Sequence, residues 1–185
     1  MSVPSPHTTW SDRLVVWIAQ GFGSGLLPAG PGTWGSLVGI LWLWALLLPG
    51  SALLFGVLVA GSILLAVGGC ARAEKVLRQH DPGSVVLDEI VAVPLTFFGP
   101  WLVLGTFPAA SWSDPLTVAA QFWPEFLVGF IAFRVFDIAK PGPIGRIQSL
   151  PDGWGVVADD VLAGLAAAVV TGLFTYLRHW VSLPG

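Results

Sequence analysis

Residues 36–71 read SLVGILWLWALLLPGSALLFGVLVAGSILLAVGGCA and contain no charged side chain. The uncharged run that includes them extends over 58 residues between Arg13 and Arg72. Soluble domains average about 25% charged residues, but this chain of 185 residues has only 10% and a mean hydropathy of +0.79. The composition predicts an integral membrane protein with one domain, residues 1–185. A net charge of −3 on so apolar a chain argues against a nucleic-acid partner.

Five apolar segments can be separated at the glycine, proline and charged residues, and they cover about 36–48, 52–70, 89–107, 115–136 and 160–178. A spanning chain must satisfy its backbone hydrogen bonds internally, and no barrel-type alternation appears. The segments therefore predict an all-α membrane bundle of about four to five helices. Asp114 and Pro115 are expected to begin the fourth segment, and Pro124 to kink it. A short helix over residues 9–20, which carries two tryptophans, is expected to lie in the membrane interface.

The basic residues predict an orientation for the bundle. If the first four segments form two hairpins, the tips at 49–51 and 108–114 contain no lysine or arginine. Seven of the eight basic residues then lie at the opposite side, and only Arg178 lies with the tips. By the positive-inside rule, the two Gly/Pro-rich loops, 21–36 and 137–158, face the cytoplasm.

Five acidic residues stand at segment ends on this predicted cytoplasmic side: Asp88, Glu89, Asp137, Asp159 and Asp160. A carboxylate in hydrocarbon costs about 2.5–3.5 kcal/mol on insertion scales. Each of the two acidic doublets opens a segment, where a helix dipole alone would favour it. Two doublets on one side are better explained by a shared cation, because converging carboxylates otherwise repel one another. Hard oxygen ligands without a His/Cys set favour Mg²⁺ or Mn²⁺ over zinc.

The motif FRVFDIAKPGPIGRIQ, residues 133–148, gathers charged side chains of both signs. Arg134 and Asp137 are i,i+3 neighbours and would form a local ion pair on a helix. The same motif suits a phosphate site, with Lys140 as a point charge and Arg146 as a bidentate partner.

The glycine-rich stretch GSGLLPAGPGTWGS, residues 23–36, precedes the first apolar segment. Its backbone N–H groups and the Thr33 and Ser36 hydroxyls would suit an anion at a helix start. A glycine-rich turn before a membrane helix is also a common structural feature, so this motif alone does not decide between the two interpretations.

Three further residues, His80, Cys70 and Glu125, give only weak evidence of a functional role. His80 lies in a polar loop and is expected to be solvated. Cys70 is the single cysteine, so it cannot form an internal disulfide and is expected to pack among small residues. Glu125 lies inside the fourth segment, and no sequence pattern accounts for it.

Four motifs in this order, GSGLLPAGPGTWGS, VVLDEIVA, FRVFDIAKPGPI and GWGVVADDVLAG, resemble those of the phosphatidylglycerophosphatase A family. The resemblance covers about residues 20–165. It implies a magnesium-dependent bacterial membrane enzyme that removes the phosphate of phosphatidylglycerophosphate to give phosphatidylglycerol, a precursor of cardiolipin. The site residues implied by the motifs are Asp88, Glu89, Asp137, Lys140, Asp159 and Asp160, with Thr33 and Ser36 in the first loop. One departure is Ala92, which stands where a glycine is expected after DEIV.

These residues suggest metal-activated water as the mechanism. The five acids would bind one or two Mg²⁺ ions, and Lys140, with Arg134 or Arg146, would stabilise the phosphoryl charge. The chain lacks the Cys-x5-Arg and DxDx[TV] phosphatase motifs, which argues against a covalent intermediate but leaves an aspartyl intermediate as an alternative. One acid would act as general base, and the sequence does not select which.

Two other classes of function are weighed against the phosphatase. A small membrane transporter or ion-coupled carrier would use acids in the middle of a segment, and only Glu125 has that position. A membrane adaptor without chemistry leaves the clustered acids and the KPGP loop unexplained. The sequence predicts no oligomeric state.

Overall fold

A computed structural model describes residues 9–105, 115–151 and 153–181 of the chain, with the side chains of 115–119 excepted. Every regular element in these ranges is helical. The α-helices are α1 (Trp10–Ala19), α2 (Pro31–Leu47), α3 (Ala52–Leu77), α4 (Leu87–Ala92), α5 (Phe98–Leu104), α6 (Pro115–Ala139), α7 (Pro143–Ile147) and α8 (Trp154–Val181). Two 3₁₀ helices, Gly21–Leu26 and Val93–Phe97, follow α1 and α4. The prediction of an all-α fold is confirmed.

Local sequence explains where the first three helices begin. A capping box between Thr9 and Asp12 opens α1. A left-handed glycine, Gly30 at φ 84°, precedes α2, whose first residue is Pro31. The Ser51 hydroxyl accepts the N–H of Leu54 and caps α3.

The segment Leu87–Leu104 is a broken helix. Pro94 has no N–H to donate, and the chain passes through the 3₁₀ helix before α5 begins. Gly99 then packs directly on the backbone of α8, where a side chain would come within 2.7 Å of the Gly172 nitrogen. This close approach brings the broken segment alongside α8.

Helix α8 is the centre of the bundle, because α4, α5, α6 and α7 all pack against it. Small residues on its buried face, including Ala163, Gly164 and Ala167, allow these helices to come close. A second apolar cluster joins α1 to α3 through Val16, Ala19 and Cys70. Cys70 therefore packs in the core, as predicted.

Three helical segments in the described part of the chain are long and apolar enough to cross a membrane: Ala52–Leu77, Leu87–Leu104 and Trp154–Val181. Helix α2 is apolar but shorter, at 17 residues. The count of four to five spans stays a prediction. The α2–α3 turn lies at the predicted hairpin tip 49–51, whereas the second tip, 108–114, and the cap Asp114 lie outside the described residues.

Two predicted loops contain more helix than expected. In 21–36, Gly21–Leu26 forms a 3₁₀ helix and α2 already begins at Pro31, because proline suits the first turn of a helix. In 137–158, α6 continues to Ala139 and α8 begins at Trp154. The Asp159–Asp160 doublet therefore lies one turn and more inside α8 rather than at its start, and Asp137 lies inside α6.

Candidate active site

Four helices bring their charged residues to one end of the bundle. The first turns of α2 and α4, the second turn of α8 and the last turn of α6 meet there. Gly32 of α2 is packed against both Glu89 of α4 and Arg134 of α6. Asp160 of α8 lies beside Asp88 and Glu89. The predicted juxtaposition of the separate acidic motifs is therefore present in the fold.

Three carboxylates form the centre of this end, and the name acid cluster is used here for Asp88, Glu89 and Asp160. One oxygen of each lies within 4.8 Å of one oxygen of the other two. Asp88 and Asp160 are 6% and 3% exposed, and Glu89 is partly buried. Asp88 Oδ1, Glu89 Oε2 and Asp160 Oδ2 are buried without a hydrogen-bond partner. Carboxylate oxygens arranged in this way could hold a cation between them, which would offset their mutual repulsion.

Lys140 and Asp159 form an ion pair beside the acid cluster. Lys140 Nζ donates to Asp159 Oδ2 at 2.5 Å, and the Asp159 side chain is only 1% exposed. Partial burial acts to lower the pKa of Lys140, but the hydrogen bond to Asp159 and the nearby carboxylates outweigh it, so that this pKa is raised above its ordinary value. The lysine therefore remains a cation at neutral pH.

The backbone of Lys140 has an unusual conformation. Its φ is 41°, in the left-handed region that disfavours residues with a Cβ, and Pro141 follows it. This position, directly after α6, is one where glycine is common. Such strain persists where the surroundings fix it, and the surroundings of Lys140 include the ion pair with the buried Asp159.

Arg134 and Asp137 form a second ion pair, one turn earlier on α6. Arg134 Nη1 donates to Asp137 Oδ2 at 2.5 Å, and both side chains are largely buried. The same nitrogen lies 3.5 Å from Ser36 Oγ, and the Arg134 Nε is buried without a partner. The local ion pair expected from the i,i+3 spacing is therefore present, and the guanidinium also reaches the first turns of α2.

The two hydroxyl residues of the first loop have different surroundings. Ser36 is fully buried and its hydroxyl donates to the Gly32 carbonyl at 2.7 Å. Thr33 lies in the first turn of α2 and is partly buried. Of the two, Ser36 is the residue that the fold places next to a charged side chain of the site.

Gly32 is a site residue that sequence analysis did not single out. A methyl group on it would lie 2.9 and 3.2 Å from the two terminal nitrogens of Arg134, and closer still to Glu89 Oε1. A backbone without a side chain is needed where three helices converge so closely. The PGTWGS motif contained this glycine, but its purpose depends on contacts with residues distant in sequence.

The remaining predicted or open residues form no ion pair with the acid cluster in the part of the chain that the structure describes. Arg146 is exposed on α7, and its side chain makes no ion pair with the acids in the part of the chain described. His80 is exposed and its Nδ1 lies 2.7 Å from Glu74. Glu125, the mid-segment acid that would suit transport, is paired with Arg178 at 2.7 Å. This pair neutralises the buried carboxylate and links α6 to α8.

Comparison of the sequence with known proteins assigns the chain to a family. The family model described as phosphatidylglycerophosphatase A matches residues 17–175. The chain belongs to the phosphatidylglycerophosphatase A family. The matched range includes the acid cluster and both ion pairs, so the family is recognised over the whole candidate site, and the chain is an enzyme of the hydrolase class.

Relatives in three bacteria resemble this chain over most of their length. A phosphatidylglycerophosphatase A of Haemophilus influenzae is 37% identical over 160 residues, which are 86% of this chain and 87% of the relative. One from Escherichia coli K12 is 36% identical over 165 residues, 88% of this chain and 83% of the relative. A Bacteroides thetaiotaomicron protein, provisionally described as a phosphatidylinositol-3-phosphatase, is 35% identical over 172 residues, 91% of this chain and 95% of the relative. No solved structure gives a significant match.

Proposed function

We propose that the protein hydrolyses the phosphomonoester of phosphatidylglycerophosphate, with Mg²⁺, to phosphatidylglycerol and phosphate. The observation that carries this proposal is the acid cluster with its three buried, unpartnered carboxylate oxygens, flanked by two basic side chains. The names of the two phosphatidylglycerophosphatase relatives support the choice of substrate. A lipid substrate also agrees with a chain that has three candidate membrane spans.

The donor set of the acid cluster fits Mg²⁺. Mg²⁺ prefers oxygen ligands and is usually held by a few carboxylates together with water and substrate phosphate. Asp88, Glu89 and Asp160 would hold the ion, because each has an oxygen without another partner. When bound, Mg²⁺ supplies charge neutralisation at the phosphoryl oxygens and makes a coordinated water more acidic. Asp137 and Asp159, which also belonged to the predicted ligand set, are engaged with Arg134 and Lys140.

The basic residues are suited to hold the phosphoryl group. Lys140 presents a localised charge, and Arg134 presents a planar fork that suits two phosphate oxygens. Asp159 and Asp137 orient them, and the buried Arg134 Nε makes no hydrogen bond within the described part of the chain. These cations act on charge that increases on the phosphoryl oxygens as the reaction proceeds.

The reaction requires a water molecule and two proton transfers. The water oxygen forms a bond to phosphorus as the bond from phosphorus to the glycerol oxygen breaks. A carboxylate of the site accepts a proton from the water, and the departing glycerol oxygen takes up a proton from that carboxyl group or from solvent. Phosphomonoester hydrolysis is among the slowest uncatalysed reactions, so concentrated electrostatic stabilisation of this kind is needed.

We also propose that the site faces the cytoplasm at the bacterial inner membrane. Arg134, Lys140 and Arg72 lie at the end of the bundle that holds the site, whereas Arg178 lies near the other end of α8. This distribution agrees with the positive-inside rule. The acids then lie near the boundary of the leaflet that contains the substrate headgroup.

Phosphate release from phosphatidylglycerophosphate in mixed micelles, with Mg²⁺ or with EDTA, tests the function. The variant Asp160→Asn is expected to lose activity while remaining folded, because it removes one ligand charge. Glu74→Gln is the matched control, since it makes the same change at this end of the protein outside the acid cluster, and it is expected to keep activity. Mg²⁺ should raise the thermal midpoint of the wild-type protein more than that of Asp160→Asn. Near-normal activity of folded Asp160→Asn would contradict the proposed ligand role.

A further inference from the structure

Helix α1 has apolar residues on two opposite faces. Val16 and Ala19 are buried against α3. Trp10, Leu14 and Trp17 follow the i, i+4, i+7 spacing of a single helix face, and they are 82%, 43% and 49% exposed. A helix that packs on the protein through one face and meets water with the other would be polar on the second face. The exposed apolar face of α1 therefore requires an explanation.

The exposed apolar face of α1 continues into the following 3₁₀ helix. Phe22 and Leu26 are both 58% exposed, and the Phe22 ring packs edge-on against Trp17 with centroids 5.0 Å apart. Phe22 has φ 58°, a left-handed conformation that is unfavourable for a residue with a bulky side chain. The chain thus holds an aromatic ring outward at a cost in backbone strain.

We propose that Trp10, Leu14, Trp17, Phe22 and Leu26 form a docking surface for the headgroup boundary of the lipid leaflet at the site end of the bundle. Tryptophan is favoured at that boundary, and an apolar helix face of this kind lies in its plane. The occupant is lipid because α1 packs through its other face on α3, a candidate membrane span that itself exposes Leu64 and Leu65.

The docking surface is fixed rigidly to that span. Arg72 of α3 donates through Nε to Asp12 Oδ1 at 2.8 Å, and Asp12 also forms the capping box with Thr9. Helix α1 therefore has a fixed orientation on α3. A surface of this rigidity sets the depth at which the end of the bundle meets the headgroups.

The same unit is joined to the start of the helix that carries two of the acids. The Val86 N–H donates to the Ala19 carbonyl at 2.9 Å, and Val86 is two residues before Asp88. Gly21 and Gly35 pack so closely on Val86 that a Cβ on either would lie within 3.0 Å of its side chain. The docking surface thereby places the acid cluster relative to the lipid phosphates, a consequence that rests on the function proposed above.

A fluorophore at residue 14 tests the location without any need for activity. Cys70 is fully buried, so a thiol-reactive NBD dye would label Leu14→Cys selectively, with Gln79→Cys in an exposed loop as the matched control. In vesicles of phosphatidylethanolamine and phosphatidylglycerol, the dye at residue 14 is expected to be quenched by lipids with a doxyl group near the headgroup, and the dye at residue 79 by aqueous iodide. Iodide quenching of residue 14 as strong as that of residue 79 would overturn the proposal. Protection from both quenchers, which would indicate a second copy on this face, would overturn it as well.

A second measurement concerns the effect on the reaction. Phe22→Gly removes the ring and relieves the left-handed strain, so the protein should be at least as stable as wild type. In proteoliposomes, its activity on full-length lipid substrate is expected to fall several-fold relative to its activity on a short-chain, water-soluble analogue. If Phe22→Gly leaves the ratio of lipid activity to analogue activity unchanged, the docking surface does not position the site on the membrane. Equal loss of activity on both substrates would also contradict this role, and would indicate damage to the active site. The quenching result stands independently of either outcome.

Discussion

Replacement of Gly32 by alanine tests whether the meeting point of α2, Glu89 and Arg134 is part of the catalytic geometry. The added methyl would lie 2.9 Å from one Arg134 nitrogen, while Arg134 is held by Asp137 at 2.5 Å. Overpacking of this kind costs about 1–3 kcal/mol. If about 2 kcal/mol of that cost is added to the activation free energy, because Arg134 stabilises the phosphoryl group less well, kcat falls roughly 30-fold.

The matched control is Gly68→Ala, which adds the same methyl at an exposed position of α3 with no atom within 4 Å. Alanine is favoured over glycine in helices by about 1 kcal/mol, so this control should be as stable and as active as wild type. Phosphate release at saturating substrate and at varied Mg²⁺ gives kcat and the Mg²⁺ dependence for both variants. Gly32→Ala is expected to need more Mg²⁺ as well, because the methyl also displaces Glu89.

Thermal unfolding in detergent separates this effect from misfolding. A folded Gly32→Ala protein whose kcat and Mg²⁺ dependence equal those of Gly68→Ala would refute the reasoning. It would show that Arg134 and Glu89 can move without consequence, and that their positions do not govern the rate.

Lys140→Met is expected to abolish activity and to destabilise the protein by about 3–5 kcal/mol, because Asp159 would remain as an unpaired buried charge. The double variant Lys140→Met, Asp159→Asn should recover the thermal midpoint but not phosphate release. Recovery of activity in the double variant would count against Lys140 as a phosphate ligand. Arg178→Met is expected to lower the thermal midpoint, because it removes this partner from the buried carboxylate of Glu125. The loss should be smaller than the about 3–5 kcal/mol of a fully buried pair, because the Arg178 side chain is 42% exposed. The kcat of the folded fraction should be unchanged, and a protein that keeps full stability would show that the ion pair is dispensable. Hydrogen bonds from Thr9 and then from Arg72 lower the pKa of Asp12 below 3.8, so its contribution to stability is present above that pH and is lost as the pH falls through the lower folded value. The difference in thermal midpoint between wild type and Asp12→Asn should therefore be largest near neutral pH and shrink below about pH 4, and a difference that is constant with pH would contradict this assignment.

The sequence predicted the class of the fold and the composition of the site for physical reasons that act locally. The lack of charge predicts membrane segments, and acids that interrupt such segments need a partner, so all five acids at segment ends were expected to meet. The fold groups three of them, Asp88, Glu89 and Asp160. The ion pair of Arg134 with Asp137 follows from their helical spacing.

Other features could not be predicted because they depend on contacts between distant residues. The pairing of Glu125 with Arg178 joins α6 to α8, and no periodic pattern relates the two positions. The helical start at Pro31 was missed because the glycines that follow it have low helix propensity, which packing against Val86 overrides. The exposed position of Arg146 on α7 could not be predicted either, because the sequence does not determine the direction of so short a helix, and its role as a phosphate ligand stays a prediction.

The acid cluster joins the beginning of α4 to the second turn of α8. During synthesis, Asp88 and Glu89 are therefore translated before Asp160. The three carboxylates come from two helices that are far apart in the sequence, so the acid cluster is complete only when α8 has packed against α4.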